Sequence, residues 1–439
     1  MFTKQAYEIF AAAVDTAQPE NLLRKNVSIK QGVLHIAGQQ NDIATLNRFL
    51  VFAIGKAAPA MAKAVEKQAG EIISEGYCVT KYKHAIPLTH FQIIEAAHPV
   101  PDENSVKAGE IILNRLQQLT EADIVLFLIS GGASSLLADV PEGCTLEEIQ
   151  KTSALLINSG ATINEINTVR KHLSFLKGGQ LAKAAYPAKI VSLIISDVTG
   201  DDISSIASGP TVPDSSTFKA AFQILKKYNI WVQTAESVKN HITRGLNNEI
   251  DETPKPGSLI FKNTVAKIIA NNQLALEAAF QKAIKLGYHS LILNDTLTGN
   301  TEKKAREFIH YVLQYKGDLP ACILMGGETT LNVSGIGKGG RNQHFVLSAL
   351  HEWQQCNLSG TVRDITILSA GTDGTDGPTD AAGAAFNTKS IPAILLNDKI
   401  TAASLAQFDS YNFFTKYGGL IVTGPTQTNV MDIVIALIH

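Results

Sequence analysis

Several glycine-rich segments of this 439-residue sequence carry charged or hydroxyl side chains where an apolar run ends. The first contains Lys56, which follows Gly55 directly after the run RFLVFAI (48–54) and precedes a helical pattern. A lysine at the start of a helix lies beside backbone N–H groups, and together they suit an anionic oxygen such as that of a phosphate. The alternative that this segment leaves open is a solvated surface lysine.

A second segment has the residue types that let a backbone approach a phosphate closely. Its two glycines allow a sharp turn, and the small side chains after them leave N–H groups uncovered. It lacks the GxxxxGK[ST] spacing of a Walker loop and the GxSxG spacing of a nucleophile elbow. A plain tight turn between a strand and a helix is the other interpretation. The candidate nucleotide-binding residues here are Ser130, Gly131, Gly132, Ala133, Ser134 and Ser135.

Two further segments are acidic. Asp197 follows the run KIVSLIIS (189–196), where a carboxylate can hold Mg²⁺ or accept the proton of a hydroxyl group. Asp201 and Asp202 come soon after it, and at least one of them suits a helix cap. The segment GTDGTDGPTD (371–380) places three carboxylates in one tight loop. Two of them at 4 Å in a partly shielded cleft would repel by about 4 kcal/mol, so convergence there would require a cation, a shared proton or a helix start.

Glycine is densest in GIGKGGRNQH (335–344). Such a loop costs conformational entropy on folding, which is easier to explain if the loop wraps a ligand. Arg341 can bind a carboxylate or a phosphate through two parallel N–H groups, which a lysine cannot do. His344 at a helix start favours a structural role over that of a base. The candidate nucleotide-binding residues of this loop are Gly337, Gly339 and Gly340.

The elements that must position these residues alternate along the chain. Apolar runs at 48–54, 123–130 and 189–196 are each followed by a turn, and the first two turns lead into a helical pattern. Runs of this length, bounded by turns, indicate strands buried on both faces, and the alternation predicts parallel βαβ units in a doubly wound, Rossmann-like α/β sheet. The carboxyl ends of such strands share one edge, where functional loops gather.

A polar stretch with two prolines separates two such regions. We expect an N-terminal α/β domain at 1–245, a linker at 246–260 and a C-terminal α/β domain at 261–439. The pattern leaves open whether a last strand, at 420–423, returns to the first domain.

Composition excludes several classes of protein. A formal net charge of −2 argues against a nucleic-acid partner. No run approaches 18 apolar residues and no signal peptide is visible, so we expect no membrane partner and a cytoplasmic location. The four cysteines are far apart and lack metal-ligand spacing, which indicates reduced thiols.

Taken together, seven motifs resemble those of the glycerate 2-kinase family, in the family's order. They span nearly the whole chain, and the C-terminal ones are similar to its glycine-rich MOFRL region. The motifs are HPVPD (98–102), SGGASSLL (130–137), TVRKHLSFLKGGQLA (168–182), SDVTGDD (196–202), IASGPTVPD (206–214), GKGGRNQ (337–343) and GTDGTDGPTDAAGA (371–384).

The resemblance implies phosphorylation of D-glycerate at its 2-hydroxyl by ATP with Mg²⁺, giving 2-phosphoglycerate, in a cleft between two α/β domains. It places Lys56 and Arg341 at the positions of family active-site residues. This sequence departs from the family pattern at Gln427, where glycine is usual, at His344, where an acidic residue is usual, and at Thr199, where proline is usual.

On this basis the catalytic residues are expected to be Lys56, Asp197 and Arg341, with Asp197 and Asp373 as metal ligands. Whether Asp197 acts as base or as ligand is left open, as is whether Arg341 binds the carboxylate of glycerate or the transferred phosphoryl group. The protein is expected to be a monomer or a homodimer.

Two other functions remain open. An NAD(P)H-dependent hydroxypyruvate reductase would carry a GxGxxG turn, which neither the Gly55 nor the Gly131 segment completes. A non-catalytic anion-binding protein would bind ATP or an organic acid without releasing ADP.

Overall fold

The computed structural model describes residues 2–356 and 363–439, which form two compact units. One unit runs from Pro19 to Ile269 and is called here the central unit. The other combines Ala270–His439 with the segment that ends at Gln18, and is called the composite unit.

The central unit consists of a small antiparallel sheet, a six-stranded sheet and the helices that cover them. Its strands are β1 (Val27–Lys30), β2 (Val33–Ile36), β3 (Gln39–Asp42), β4 (Phe49–Ile54), β5 (Glu75–Lys81), β6 (Gln92–Ala96), β7 (Ile124–Ile129), β8 (Lys189–Ile195) and β9 (Thr264–Ala270). Its helices are α2 (Pro19–Asn26), α3 (Ala58–Ala69), α4 (Glu103–Leu116), α5 (Ala133–Leu136), α6 (Leu146–Asn158), α7 (Ile163–Lys171), α8 (Gln180–Ala185), α9 (Phe218–Lys227) and α10 (Glu236–Leu246).

The large sheet of this unit has the strand order β6-β5-β4-β7-β8-β9, and the pairs from β6 through β8 are parallel. Every residue of β4 and β7 is buried, because helices cover both faces. Phe52 of β4 stacks on Phe127 of β7, with ring centroids 5.5 Å apart. This confirms the predicted doubly wound sheet. The chain steps outward from β4 to β6 and then returns to β7, so the order reverses between β4 and β7, the point where open α/β sheets bind ligands.

Four helices of the central unit form a second core. Leu156, Val169, Leu225 and Ile242, from α6, α7, α9 and α10, are buried together in it. Helix α7, which carries part of the motif TVRKHLSFLKGGQLA, is therefore fixed by packing on its apolar side.

The composite unit contains a mixed six-stranded sheet of order β10-β11-β15-β12-β13-β14, in which only the pair β10–β11 is parallel. Its strands are β10 (His289–Leu297), β11 (Ala321–Gly327), β12 (Ile365–Gly371), β13 (Gly383–Asn387), β14 (Leu420–Ile421) and β15 (Asp432–Ile438). Its helices are α1 (Phe2–Thr16), α11 (Asn272–Lys285), α12 (Thr301–Leu313), α13 (Arg341–Cys356), α14 (Lys399–Ala406) and α15 (Ser410–Tyr417).

The division into units differs from the boundaries expected from the sequence. The expected linker, 246–260, lies inside the central unit, because β9 follows it and joins the first sheet. Residues 2–18 belong to the composite unit, because the apolar face of α1, including Ile9 and Phe10, is buried against α11, β12 and β15. The strand expected at 420–423 corresponds to β14, which pairs with β13 in the composite unit and does not join the first sheet.

The four cysteines are free thiols, as expected. Burial raises the pKa of Cys78 and of Cys322 to about 12, so both are protonated and behave as small apolar side chains. Across the described residues we find no helix with the length and apolar character needed to cross a bilayer.

Candidate functional site

Lys56 and the 130–135 segment, far apart in sequence, meet in the central unit. They follow β4 and β7, which are neighbours in the sheet. The N–H of Lys56 donates to the carbonyl oxygen of Gly131 at 2.9 Å, and the N–H of Ala57 donates to Ser130 Oγ at 3.0 Å. Gly55, with a φ of +127°, has room for no side chain, because a Cβ there would collide with Ser130. Both loops therefore lie at the point where the strand order reverses.

The phosphate-binding capacity of the 130–135 segment is smaller than its composition suggests. The N–H groups of Ser130, Ala133 and Ser135 bond to carbonyl oxygens of Ile54, Ser130 and Gly132, at 3.0, 3.4 and 3.2 Å. At most the N–H groups of Gly131, Gly132 and Ser134 are left for a ligand. Helix α5 has only four residues, so it contributes little dipole.

A cavity of about 370 Å³ lies next to these loops, entirely within the central unit. Four of the predicted site residues line it: Gly132, Ser134, Ser135 and Asp197. Its size is within the range of small-molecule pockets, roughly 300–1,000 Å³. Ser134 Oγ lies 3.0 Å from Ser208 Oγ on its wall. The structure thus brings the second and third predicted segments to one concave surface.

The sequence reasoning missed several polar residues that line the same cavity, and five of them bear most directly on its charge and hydrogen bonding. They belong to, or lie near, motifs that supported the family resemblance but were given no chemical role. Their position in or near those motifs is the only sequence signal that could have identified them. They are His98, Asp139, Asn167, Arg170 and Lys177.

His98 lies against the Lys56 segment. A Cβ on Gly132 would stand 2.9 Å from His98 Cδ2 and 3.4 Å from Lys56 Cγ, so both side chains lie close to this glycine. Burial, reinforced by the charge of Lys56, lowers the pKa of His98 to about 4. The imidazole is therefore neutral at pH 7, and Lys56 is the cation at this position.

Asp139 and Lys177 form a coupled pair on the cavity wall. Burial lowers the pKa of Lys177 to about 8, and the facing carboxylate of Asp139 opposes that change. Burial raises the pKa of Asp139, while Lys177 opposes it. Lys177 Nζ also donates to the carbonyl oxygen of Leu137 at 3.0 Å, and Ser174 Oγ donates to Asp139. The two charges attract each other, although each side chain forms its hydrogen bonds with other groups.

In the composite unit, Arg341 is bound by two carboxylates. Its Nε and Nη2 donate to Asp432 at 2.6 and 2.8 Å, and its Nη1 lies 2.9 Å from Glu328 Oε1. Burial lowers the pKa of Arg341, but Asp432 and Glu328 more than offset it, so the net change is upward. The side chain is 30% exposed and that of Asp432 only 4%. Much of the capacity of Arg341 to bind an anion is therefore already used.

Asp376 fixes the start of helix α13. Its two carboxylate oxygens accept the backbone N–H groups of Asn342 and Gln343, at 3.0 and 2.8 Å. A side chain on Gly340 would collide with Asp376, which explains this glycine. Burial raises the pKa of Asp376 to about 6, against the effect of the two N–H donors. Asp376 therefore acts as a helix cap that positions Arg341.

The other aspartates of the 371–380 loop diverge. Asp380 is exposed and accepts from the hydroxyl of Tyr411 at 2.7 Å. Asp373 Oδ1 accepts the N–H of Thr375 at 3.0 Å. A Cβ on Gly371 would stand 3.3 Å from Asp373 Oδ1 and 3.4 Å from Asp432 Oδ1, so those two carboxylates lie around one glycine. The sequence did not single out Asp432, which opens the last apolar run.

The predicted metal ligands, Asp197 and Asp373, belong to different units. Carboxylate oxygens suit Mg²⁺, which binds through one or two of them together with substrate phosphates. Among residues 2–356 and 363–439, the one set of three side chains within reach of a single ion is His310, Glu352 and Cys356. That set lies at the opposite end of α13 from Arg341. The carboxylates of Asp197 and Asp373 therefore fit Mg²⁺ only if phosphate oxygens of the substrate provide further ligands.

The glycines of the 335–344 loop have packing reasons of their own. A Cβ on Gly337 would meet the carbonyl oxygen of Gln407, and one on Gly339 would collide with Ser410 Oγ. Contact of these glycines with a nucleotide stays a prediction. His344 is buried, stacks on Phe408 and lies 3.0 Å from Glu302, in keeping with a structural role.

Comparison with known proteins identifies the family to which this chain belongs. The model of a domain of unknown function, DUF4147, matches residues 5–243, and that of the MOFRL family matches residues 321–432. D-glycerate 2-kinase of Thermotoga maritima is 44% identical over 90% of this chain and 91% of its own. Glycerate 2-kinase of Pyrococcus horikoshii is 40% identical over 97% of this chain and 95% of its own. The chain belongs to the glycerate kinase family.

Solved structures agree with this assignment. The crystal structure of glycerate kinase from Thermotoga maritima has a TM-score of 0.84 to this chain at 40% identity, covering 100% of this chain and 99% of its own. Two proteins of Agrobacterium vitis, 40% and 38% identical, carry a provisional name of hydroxypyruvate reductase. Membership of the glycerate kinase family makes this protein a phosphotransferase.

Proposed function

We propose that this protein transfers the γ-phosphoryl group of ATP to the 2-hydroxyl of D-glycerate, giving 2-phosphoglycerate and ADP. The observation that carries the proposal is the pair of relatives, 44% and 40% identical over at least 90% of the chain, that are named for glycerate 2-kinase activity. The geometry of the central unit supports it, because Lys56 and a glycine-rich turn lie beside a cavity of suitable size.

Lys56 and the 130–135 segment are proposed to bind the transferred phosphoryl group. Phosphoryl transfer needs positioning and charge neutralisation more than covalent chemistry. The ammonium group of Lys56 would neutralise charge on the phosphoryl oxygens, and the remaining N–H groups of Gly131, Gly132 and Ser134 would orient them. The glycines at 337, 339 and 340 are proposed to contact the nucleotide.

Asp197 is proposed to act on the substrate hydroxyl. It lines the cavity, where a small hydroxy acid would bind. Its carboxylate would orient the 2-hydroxyl and take its proton as the bond to phosphorus forms. Mg²⁺, held by Asp197 or Asp373 and by ATP, would neutralise the charge of the phosphates.

Arg341 is proposed to stabilise the transferred phosphoryl group. Its guanidinium is fixed by Asp432 and Glu328, so it would need no reordering during the reaction. It is always protonated, so it would act as a permanent positive charge.

A coupled assay tests the proposal. The purified protein is incubated with D-glycerate, ATP and Mg²⁺, and the product is passed to enolase, which accepts the 2-phosphate only. We expect phosphoenolpyruvate to form together with ADP. ADP release without a product that enolase accepts would contradict transfer to the 2-hydroxyl, and no ADP release would refute the kinase.

The reductase remains the second candidate, because two relatives carry that name. It predicts steady loss of absorbance at 340 nm when the protein is mixed with hydroxypyruvate and NADH. We expect none, since the sequence has no GxGxxG turn at the end of β4 or β7.

We also propose that the protein works in the cytoplasm as a monomer or homodimer, without a nucleic-acid or membrane partner. Its near-neutral charge and its four free thiols support this.

A further inference from the structure

Arg170, near the end of α7, lines the cavity of the central unit without a partner of its own. Within the described residues its side chain makes no ion pair and no hydrogen bond, and burial lowers its pKa. An arginine withdrawn from water is costly unless a counter-charge compensates it. By contrast, Arg48 binds Asp123 and Arg341 binds Asp432. Arg170 therefore has no paired counter-charge among the described residues, and an anionic ligand could supply one.

The charged groups near Arg170 do not supply that anion. Lys177 repels Arg170 and so adds to the positive potential. Asp139 accepts hydrogen bonds from the hydroxyl of Ser174 and from the N–H of Phe175, and its charge acts on Lys177. The positive charge of Arg170 is therefore available to the cavity.

Arg170 is also held in place. Val169, next to it, is fully buried in the four-helix core. Asn167, one turn earlier, accepts a hydrogen bond from Ser208 Oγ at 3.1 Å through Oδ1. Asn167 also lines the cavity. Its side-chain Nδ2 group donates no hydrogen bond within the part of the chain that is described. The wall thus offers a guanidinium and an amide donor three residues apart on one packed helix.

The charge balance of the cavity selects the kind of anion. Asp139 and Lys177 carry opposite charges, and the wall also contains Arg170 and Asp197, one cation and one carboxylate. A monoanion that also carries a hydroxyl group matches that pair: its carboxylate suits the guanidinium and its hydroxyl suits the aspartate.

We propose that Arg170 binds the carboxylate of the hydroxy-acid substrate, with Asn167 donating to a substrate hydroxyl. The inference rests on the proposed function and deepens it, since it names the residue that selects an acid over a neutral polyol. It also separates the roles of two arginines: Arg170 binds the carboxylate, while Arg341, occupied by Asp432 and Glu328, is left for the phosphoryl group.

The test compares Arg170→Met with wild type in substrate affinity. A charge-assisted, two-pronged contact is worth roughly 10- to 100-fold in binding. We expect the KM for D-glycerate to rise by that factor while the KM for ATP changes less than about twofold. Glyceramide, the neutral amide, should be a far poorer substrate than D-glycerate for wild type, and this preference should largely disappear in R170M. Arg170→Lys, which keeps the charge but not the planar pair of donors, should lie between the two.

Arg244→Met is the matched control, because Arg244 lies on α10 of the same helical core, is exposed, and pairs only loosely with Glu142 and Glu249. It should match wild type in both KM values, and melting followed by circular dichroism should show that all the variants fold.

Calorimetric binding of D-glycerate, with a non-hydrolysable ATP analogue present, requires no turnover and so separates this inference from the proposed reaction. Wild type should bind and R170M should bind at least about 10-fold more weakly. A rise in the KM for ATP alone, equal affinity of the two proteins for D-glycerate, or no binding by wild type would each overturn the assignment.

Discussion

Arg341 and Asp432 are joined by two parallel hydrogen bonds, of 2.6 and 2.8 Å, between the start of α13 and the start of β15. The antiparallel register of β15 sets Asp432 opposite Gly327 on one side and Gly371 on the other. Both neighbours lack side chains, so the carboxylate has room to meet the guanidinium. The orientation of a predicted catalytic residue is therefore set by a strand some ninety residues later in the chain.

Asp432→Asn should weaken both the fold and the reaction. Asparagine replaces one acceptor with an N–H₂ group that faces the N–H groups of Arg341, so we expect a loss of about 1–3 kcal/mol in the free energy of unfolding. We also expect a fall in kcat, measured with the enolase-coupled assay, because Arg341 loses its fixed position. Glu328→Gln is the control: its pair with Arg341 is 47% exposed on the glutamate side and should be worth less than about 1 kcal/mol. Equal losses in the two variants would contradict the special role of Asp432.

Lys56→Ala should reduce kcat by about 10²–10³, the usual effect of losing one preorganised charge contact. The unfolding free energy should change little, because the backbone hydrogen bonds of Lys56 and Ala57 that hold the loop remain in the variant. Lys67→Ala serves as the comparison, since Lys67 lies at the other end of α3 in an exposed pair with Glu20. Near-normal turnover of the Lys56 variant would remove this residue from the proposed mechanism.

Asp376 should make stability depend on pH in an unusual direction. Its pKa is raised to about 6 in the folded protein, from about 3.9 in the unfolded chain, so between these values the folded state binds more protons. Its contribution to stability is therefore present below pH 4 and is lost as the pH rises through 6, by about 3 kcal/mol in all.

Asp376→Asn tests this by removing the titration. Chemical denaturation of both proteins at several pH values from 4 to 7 gives the difference in unfolding free energy. We expect the unfolding free energy of the wild type to fall relative to that of the variant as the pH rises. The variant is nevertheless the weaker cap at every pH, because it has one acceptor fewer for Asn342 and Gln343. A difference that does not vary with pH would show that the carboxyl group titrates at its ordinary value.

Gln427→Gly should stabilise the protein. Gln427 has a φ of +63°, the left-handed conformation, and its buried Oε1 has no hydrogen-bond partner among the described residues. That backbone conformation costs about 1 kcal/mol for a residue with a side chain, so we expect a gain of about that size in unfolding free energy. Gln118→Gly, at an exposed residue with a φ of +66°, isolates the backbone part. A loss of stability at 427 would mean that the packing of the amide side chain outweighs both costs.

The sequence predicted the part of the site that depends on neighbouring parallel strands. β4 and β7 are apolar along their whole length, so their pairing in a doubly wound sheet, and with it the meeting of Lys56 with the 130–135 segment, follows from simple rules. Asp197 reaches the same edge because β8 pairs with β7.

What the sequence did not reveal depends on long-range geometry. Neither the pairing of Arg341 with Asp432 nor the capping of α13 by Asp376 leaves a local signal, because each joins segments that only the folded sheet brings together. Arg170 looks like any helical arginine until its surroundings are known; what distinguishes it is that no carboxylate forms an ion pair with it among the described residues. The assignment of α1 to the composite unit likewise requires its partners, α11 and β15, to be in place.

The interrupted course of the composite unit has a consequence for biosynthesis. On the ribosome α1 emerges before the whole central unit, whereas β12 and β15, against which it packs, are made last. The central unit is contiguous and can fold as it emerges. The apolar face of α1, with Ile9 and Phe10, stays exposed to solvent until β12 and β15 have been synthesised. An amphipathic helix left waiting in this way is a target for chaperones during translation. Changes at residues 2–18 should accordingly harm the assembly of the composite unit, far along the chain, while leaving the contiguous one intact.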